Sequence, residues 1–167
     1  RFPAATVRRA SLGSLQVSVI GLGCNNFGRA LDAAASATVV NAALEAGMNY
    51  FDTADNYGDA QSESFLGRAL KGRRSEVVIA TKFGFRIEGG KQVGTERDSR
   101  PEHIRAAVEG SLRRLGTDHV DLLYQHRIDP AMPIEEVAGV VGELVAEGKL
   151  TLPLGGFKNA PTTCPAD

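Results

Sequence analysis

Four residues of this sequence make a proton-handling set when taken together: Asp52, Tyr57, Lys82 and His126. A free tyrosine ionises near ~10 and is a poor acid at neutral pH. A neighbouring ammonium stabilises its phenolate, and a carboxylate keeps that ammonium charged and in place. A histidine beside the tyrosine can orient and polarise a carbonyl oxygen. Such a group protonates a developing oxyanion, which is what hydride transfer to a carbonyl needs. Singly, each residue has a plainer reading. Asp52 is a strand-end cap, Tyr57 a loop aromatic beside Gly58, Lys82 a lysine reaching the rim of a sheet, and His126 a satisfied core histidine. His103 and His119 read as structural. The charges of Glu63, Arg68, Glu102 and Arg105 read as solvated helix faces. Residues 21–28 (GLGCNNFG) form a Gly-rich turn after a strand, but the spacing is not G-x-G-x-x-G, so a dinucleotide fingerprint is not met.

These side chains are far apart in sequence, so the elements between them must bring them together. Residues 6–19 alternate around Gly13-Ser14 and predict a hairpin. Residues 17–23 (VSVIGLG) continue as an apolar strand. A helix capped by Ser36 runs to Ala46, with Val39, Val40, Ala43 and Leu44 buried and Gly47 as its stop. Strands follow at 48–53, 76–83 and 120–126. Helices are predicted from Ser62 to Gly72, from Pro101 to Gly116 and from Pro133 to Gly148. A strand–helix alternation repeated four times implies parallel strands joined by right-handed crossovers. Each strand is apolar and becomes polar at its C-terminal end, so Asp52, Tyr57, Lys82 and His126 fall on one rim of the sheet, the rim that carries the chemistry in barrels. The alternative is an open doubly wound sheet with Asp52 as a ribose ligand, which leaves Lys82 and His126 without a role.

The chain has 167 residues with 19 Lys and Arg, 20 Asp and Glu and a formal net charge of −1, so nothing in its charge favours nucleic acid or a membrane surface. No apolar run approaches the ~20 residues of a spanning helix. Cys24 and Cys164 fit no metal or disulfide spacing, which points to a disulfide-free chain in the cytoplasm and to no metal site. The length is below the roughly 200 residues that an eight-fold β/α barrel requires. The chain starts at Arg1 and not Met, which reads as a fragment or a processed product; the Arg-rich, acid-poor start is a minor transit-peptide alternative.

The segments RRASLGSLQVSVIGLGCNNFG, ALEAGMNYFDTADNYG, SESFLGRAL, EVVIATKFG, SLRRLGTDHVDLLYQHRIDP and PIEEVAGVVGELVAEGKL stand in an order and spacing that resemble the aldo-keto reductases across about residues 7–150. QHRIDP and NNFG resemble the bacterial and plant branch of general aldehyde and ketone reductases. The resemblance implies a (β/α)8 barrel whose floor is closed by an N-terminal hairpin, here represented by about four of eight units. It implies NADPH as cofactor and a small-molecule carbonyl as substrate. It makes Tyr57 the general acid, gives Asp52 and Lys82 the tuning of that acid, and has His126 orient the carbonyl. It further implies that Gly23, Cys24, Asn25, Asn26 and Asp52 border the nicotinamide ribose. The family pattern stops after Lys149, and residues 151–167 read as a non-matching, irregular tail, out of frame or truncated, with most of the NADPH site absent. A chain of this kind either reduces carbonyls or is a non-enzymatic half barrel that binds a partner or self-associates through open edges.

Overall fold

The computed structural model describes residues 7–153. Strands β1 (Arg9–Leu12) and β2 (Leu15–Ser18) form an antiparallel hairpin turned at Gly13. Then come β3 (Leu22–Gly23), α1 (Ala33–Glu45), β4 (Tyr50–Asp52), α2 (Gln61–Ala69), β5 (Val78–Phe83), β6 (Phe85–Glu88), β7 (Lys91–Arg97), α3 (Pro101–Leu115), β8 (Val120–Gln125), α4 (Ile134–Ala146) and β9 (Leu150–Pro153). The five strands β3-β4-β5-β8-β9 pair in that order, all parallel, with the helices as crossovers. This is the α/β barrel layer that the alternation predicts, not an open doubly wound order.

The central strand shows why the layer holds. All six residues of β5 are buried. Ile79 and Phe83 pack outward with Phe51, Leu66, Ile104, Val108, Leu115 and Leu123 under the helices. Val78 and Ala80 face inward with Leu122, against Leu12, Leu15 and Val17 of the hairpin. The hairpin therefore lies over the N-terminal end of the inner face. Going up that face, the apolar layer gives way to Tyr50 and Tyr124, whose hydroxyls are 3.4 Å apart, and then to Asp52 and Lys82. Burial holds the Tyr50 hydroxyl well above the usual phenol range.

Several boundaries differ from the sequence reading. The apolar run at 17–23 is not one strand. It breaks at Val19 and Ile20, which are 46% and 55% exposed, because the chain must leave the hairpin before joining the parallel sheet. Ser18 marks the break, donating its hydroxyl to Ile20 O and its peptide N–H to Asn49 Oδ1. Helix α1 starts one turn earlier than predicted: Asp32 Oδ1 accepts from the Ala35 N–H at 2.8 Å, and Ser36 is buried inside the helix. Residues 84–100, to which the sequence reading assigns no element, contain the antiparallel β6–β7 hairpin. Leu150–Pro153 add a fifth parallel strand beside β8, so the outer strands of the sheet are β3 and β9. The rest of the predicted tail, 154–167, and residues 1–6 lie outside the described residues. No helix among the described residues is long and apolar enough to cross a membrane, and no His, Cys, Asp and Glu cluster among them could hold a metal.

Candidate active site

Three consecutive strands deliver the site. β4 ends at Asp52, β5 carries Lys82, and β8 leads into His126, whose N–H donates to Phe83 O at 2.7 Å and extends the pairing by one residue. The loop after β4 stays on the sheet: Thr53 N–H bonds Ala80 O at 2.9 Å and Asp55 N–H bonds Lys82 O at 3.2 Å. That contact folds the loop back and brings Tyr57 over the end of β5.

Lys82 is only 8% exposed. An ammonium has three protons to place. One goes to Asp52 Oδ1, one to Thr53 O at 2.8 Å and one to the Tyr57 hydroxyl at 3.3 Å. Tyr57 therefore uses an oxygen lone pair toward Lys82 and keeps its own proton for another partner. Lys82 Nζ also lies 4.8 Å from the Tyr57 ring centroid. The His126 ring meets Tyr57 edge-on at 5.7 Å and Phe85 at 5.1 Å, so it is clasped between two aromatics. All four predicted residues thus share one rim.

The turn at 23–28 adjoins this rim. Gly23, Asn25 and Asn26 are exposed, and the space above Gly23 Cα is open. Cys24 behaves differently: its side chain is fully buried in the core, and burial pushes its thiol up to about 12. Its N–H goes to Asp52 O and its carbonyl receives the Phe27 N–H and Ser62 Oγ. Cys24 ties the turn to β4 and α2 and presents no thiol to the rim. Gly28 at φ +78° and Gly58 at φ +58° touch backbone to backbone; a Cβ on Gly58 would fall 2.9 Å from Gly28 Cα. That contact fixes the turn against the loop carrying Tyr57.

Other residues around the site are absent from the sequence reading. Asn56 donates to Gln92 Oε1 at 2.7 Å, and Phe85 packs on His126, so the β6–β7 hairpin borders the site. The Gly89-Gly90 pair inside FRIEGGKQV is the turn signal that marks this hairpin in the sequence. Glu63, read as part of a solvated face, is fully buried; it accepts from Thr81 Oγ1 at 2.5 Å and pairs with Arg114 Nε at 2.6 Å. Arg68, Glu102 and Arg105 do lie on helix surfaces, with Arg105 paired to Glu143 and to Glu147 at 2.7 Å. His103 bonds Phe85 O at 3.0 Å and His119 pairs with Asp118 at 2.7 Å. A cavity of about 620 Å³ between the hairpin and residues 129–132 lies beside the site, and none of the four rim residues lines it.

Known proteins share this fold. A sequence model described as the Aldo/keto reductase family matches residues 19–152. The chain is similar to the holo form of aldo-keto reductase AKR11C1 from Bacillus halodurans, at 40% identity and a TM-score of 0.81, over 88% of this chain and 49% of that one. It is also similar to PA4992 from Pseudomonas aeruginosa, assigned to the aldo-keto reductases, at 34% identity and a TM-score of 0.76, over 89% of this chain and 60% of that one. The chain thus spans roughly half of the length of the structures it matches.

Proposed function

The chain belongs to the aldo/keto reductase family, and on that premise we propose that its site reduces aldehydes and ketones to alcohols, with Tyr57 as the proton donor and NADPH as the cofactor. The observation that carries the reading is the saturation of the Lys82 ammonium by Asp52, Thr53 O and the Tyr57 oxygen, which leaves the tyrosine proton directed elsewhere.

NADPH, when bound, supplies a hydride to the carbonyl carbon. The residues of the rim fit its nicotinamide-ribose end: Asp52 is a partly exposed carboxylate, and Gly23, Asn25 and Asn26 offer open backbone and amide groups beside it, with Cys24 adjoining through the chain. His126 orients the carbonyl oxygen toward Tyr57. As negative charge develops on that oxygen, the Tyr57 O–H bond breaks and its proton moves there, giving the alcohol. The phenolate left behind sits 3.3 Å from Lys82 Nζ, and the ammonium stabilises it. Asp52 offsets the burial of that ammonium and keeps it aimed.

The test is NADPH oxidation at 340 nm with a panel of small aldehydes and ketones. Tyr57→Phe keeps the ring and removes the proton, so turnover falls at least ~100-fold, the scale of general-acid catalysis, with binding of NADPH unchanged. Turnover unaffected by Tyr57→Phe refutes the assignment. A second reading, a non-enzymatic half barrel that binds or self-associates in the cytoplasm, is favoured by one feature: β3 and β9 are unpaired on their outer sides among the described residues. Sedimentation showing a discrete oligomer, together with no change in NADPH fluorescence at micromolar protein, selects that reading over the first.

A further inference from the structure

Thr81 and Lys82 are neighbours on β5 and face opposite ways. Lys82 points to the rim; Thr81 points outward to Glu63, which is fully buried and held by Arg114. Asp55 joins that outer cluster. It is 3% exposed, and neither of its carboxyl oxygens has a side-chain hydrogen-bond partner. The charged groups facing it are Glu63 of α2, Arg114 of α3 and Lys82 of β5. Arg114 is committed to Glu63, and Lys82 to Asp52. Two buried carboxyl groups thus compete for one guanidinium, and Asp55 is left without a side-chain donor. A buried carboxylate in that position is strongly disfavoured, and taking up a proton removes the charge.

We propose that Asp55 is held as a neutral carboxylic acid and acts as a positioning residue, its neutrality keeping loop 53–57 seated on the end of β5 and so holding the Tyr57 hydroxyl against Lys82. The seating contact is the Asp55 N–H on Lys82 O, two residues before Tyr57. Burial first, and then the charge of Glu63, push the Asp55 carboxyl up to about 8, against the opposing pull of Arg114, the Asn56 peptide N–H and Lys82. Above that pH a carboxylate forms where nothing solvates it, and the loop yields. The consequence for proton donation rests on the role of Tyr57 given above; the seating does not.

The experiment is a ¹³C-detected carboxyl NMR titration of the full chain from pH 5 to 10, with the amide signals of Asn56 and Tyr57 followed in the same samples. The Asp55 carboxyl is expected to titrate near pH 8, and the two amide signals to move with the same midpoint. Glu63→Gln lowers that midpoint, and Asp55→Asn abolishes the amide movement. An Asp55 midpoint near pH 4 overturns the proposal, as do amides that stay fixed while Asp55 titrates. The wild-type titration needs no variant to fold. Because turnover is not read, an inactive chain would count against the reductase reading and leave this result standing.

Discussion

Replacing Arg114 by methionine puts a number on the Glu63 interaction. Methionine keeps much of the apolar stem and removes the cation. Glu63 is then a fully buried charge whose only remaining partner is the Thr81 hydroxyl. Breaking a buried pair from one side costs about 3–5 kcal/mol. The Arg114 side chain is 28% exposed, so solvent already screens part of the attraction, and the expected loss is roughly 2–4 kcal/mol. In urea, with a slope of about 1–3 kcal/mol per molar, the unfolding midpoint falls by roughly 1–2 M. The chain has no tryptophan, so far-UV circular dichroism is the readout. Adding Glu63→Gln to Arg114→Met should restore most of the loss, because no uncompensated charge is left; the double-mutant cycle should show a coupling above about 1.5 kcal/mol. A midpoint shift under about 0.5 M, or additivity of the two substitutions, refutes the view that Glu63 is an ion stabilised by Arg114.

Three further outcomes follow from the same packing. Gly67 of α2 lies against the backbone of Leu115, whose Cα would be 2.7 Å from an added Cβ, so Gly67→Val forces α2 and α3 apart and should cost at least about 2 kcal/mol in the same urea assay. Asp55 has a folded-state pKa raised to about 8 against ~3.9 unfolded, so between about pH 4 and 8 the unfolded chain releases this proton while the folded chain keeps it; stability should fall by a few kcal/mol over that window and level off above it. Asp55→Asn removes this component, and parallel wild-type and variant stability curves would contradict the assignment. Cys24, buried and with its thiol pushed up to about 12, should resist iodoacetamide at pH 8 in a Cys164→Ser background and label only at the rate of unfolding; labelling within minutes under native conditions would show that the 23–28 turn opens.

Helices α3 and α4 are legible in the sequence because Pro and Gly punctuate them: Pro101 begins α3, and Gly116 and Gly148 end the two at φ +67° and +73°. The start of α1 is misread because Asp32 and Ser36 are both good caps, four residues apart. Only burial separates them: Ser36 belongs to the face that packs on the core, and Asp32 is free to reach the Ala35 N–H. The break at Val19 and Ile20 is invisible in an unbroken apolar run, since hydrophobicity does not record which of two sheets a residue joins. β6 is half-buried only at alternate positions and β7 only at Gln92 and Val93, so neither stands out beside β5, and Gly89-Gly90 is the one strong marker.

The rim residues are legible for a different reason: Asp52, Lys82 and His126 each interrupt or terminate an apolar strand, where a polar side chain needs an explanation, and Tyr57 follows Asp52 in the loop. Glu63 and Asp55 carry no such mark. Glu63 sits on an amphipathic helix where a carboxylate is ordinary, and its partner Arg114 is 51 residues away. The approach of α2 to α3 across Gly67 brings Arg114 to the buried Glu63. Asp52, Lys82 and Tyr57 are held by β4, β5 and the loop between β4 and α2, and His126 by β8, strands that pair directly with one another. Their mutual geometry is therefore set inside the described sheet.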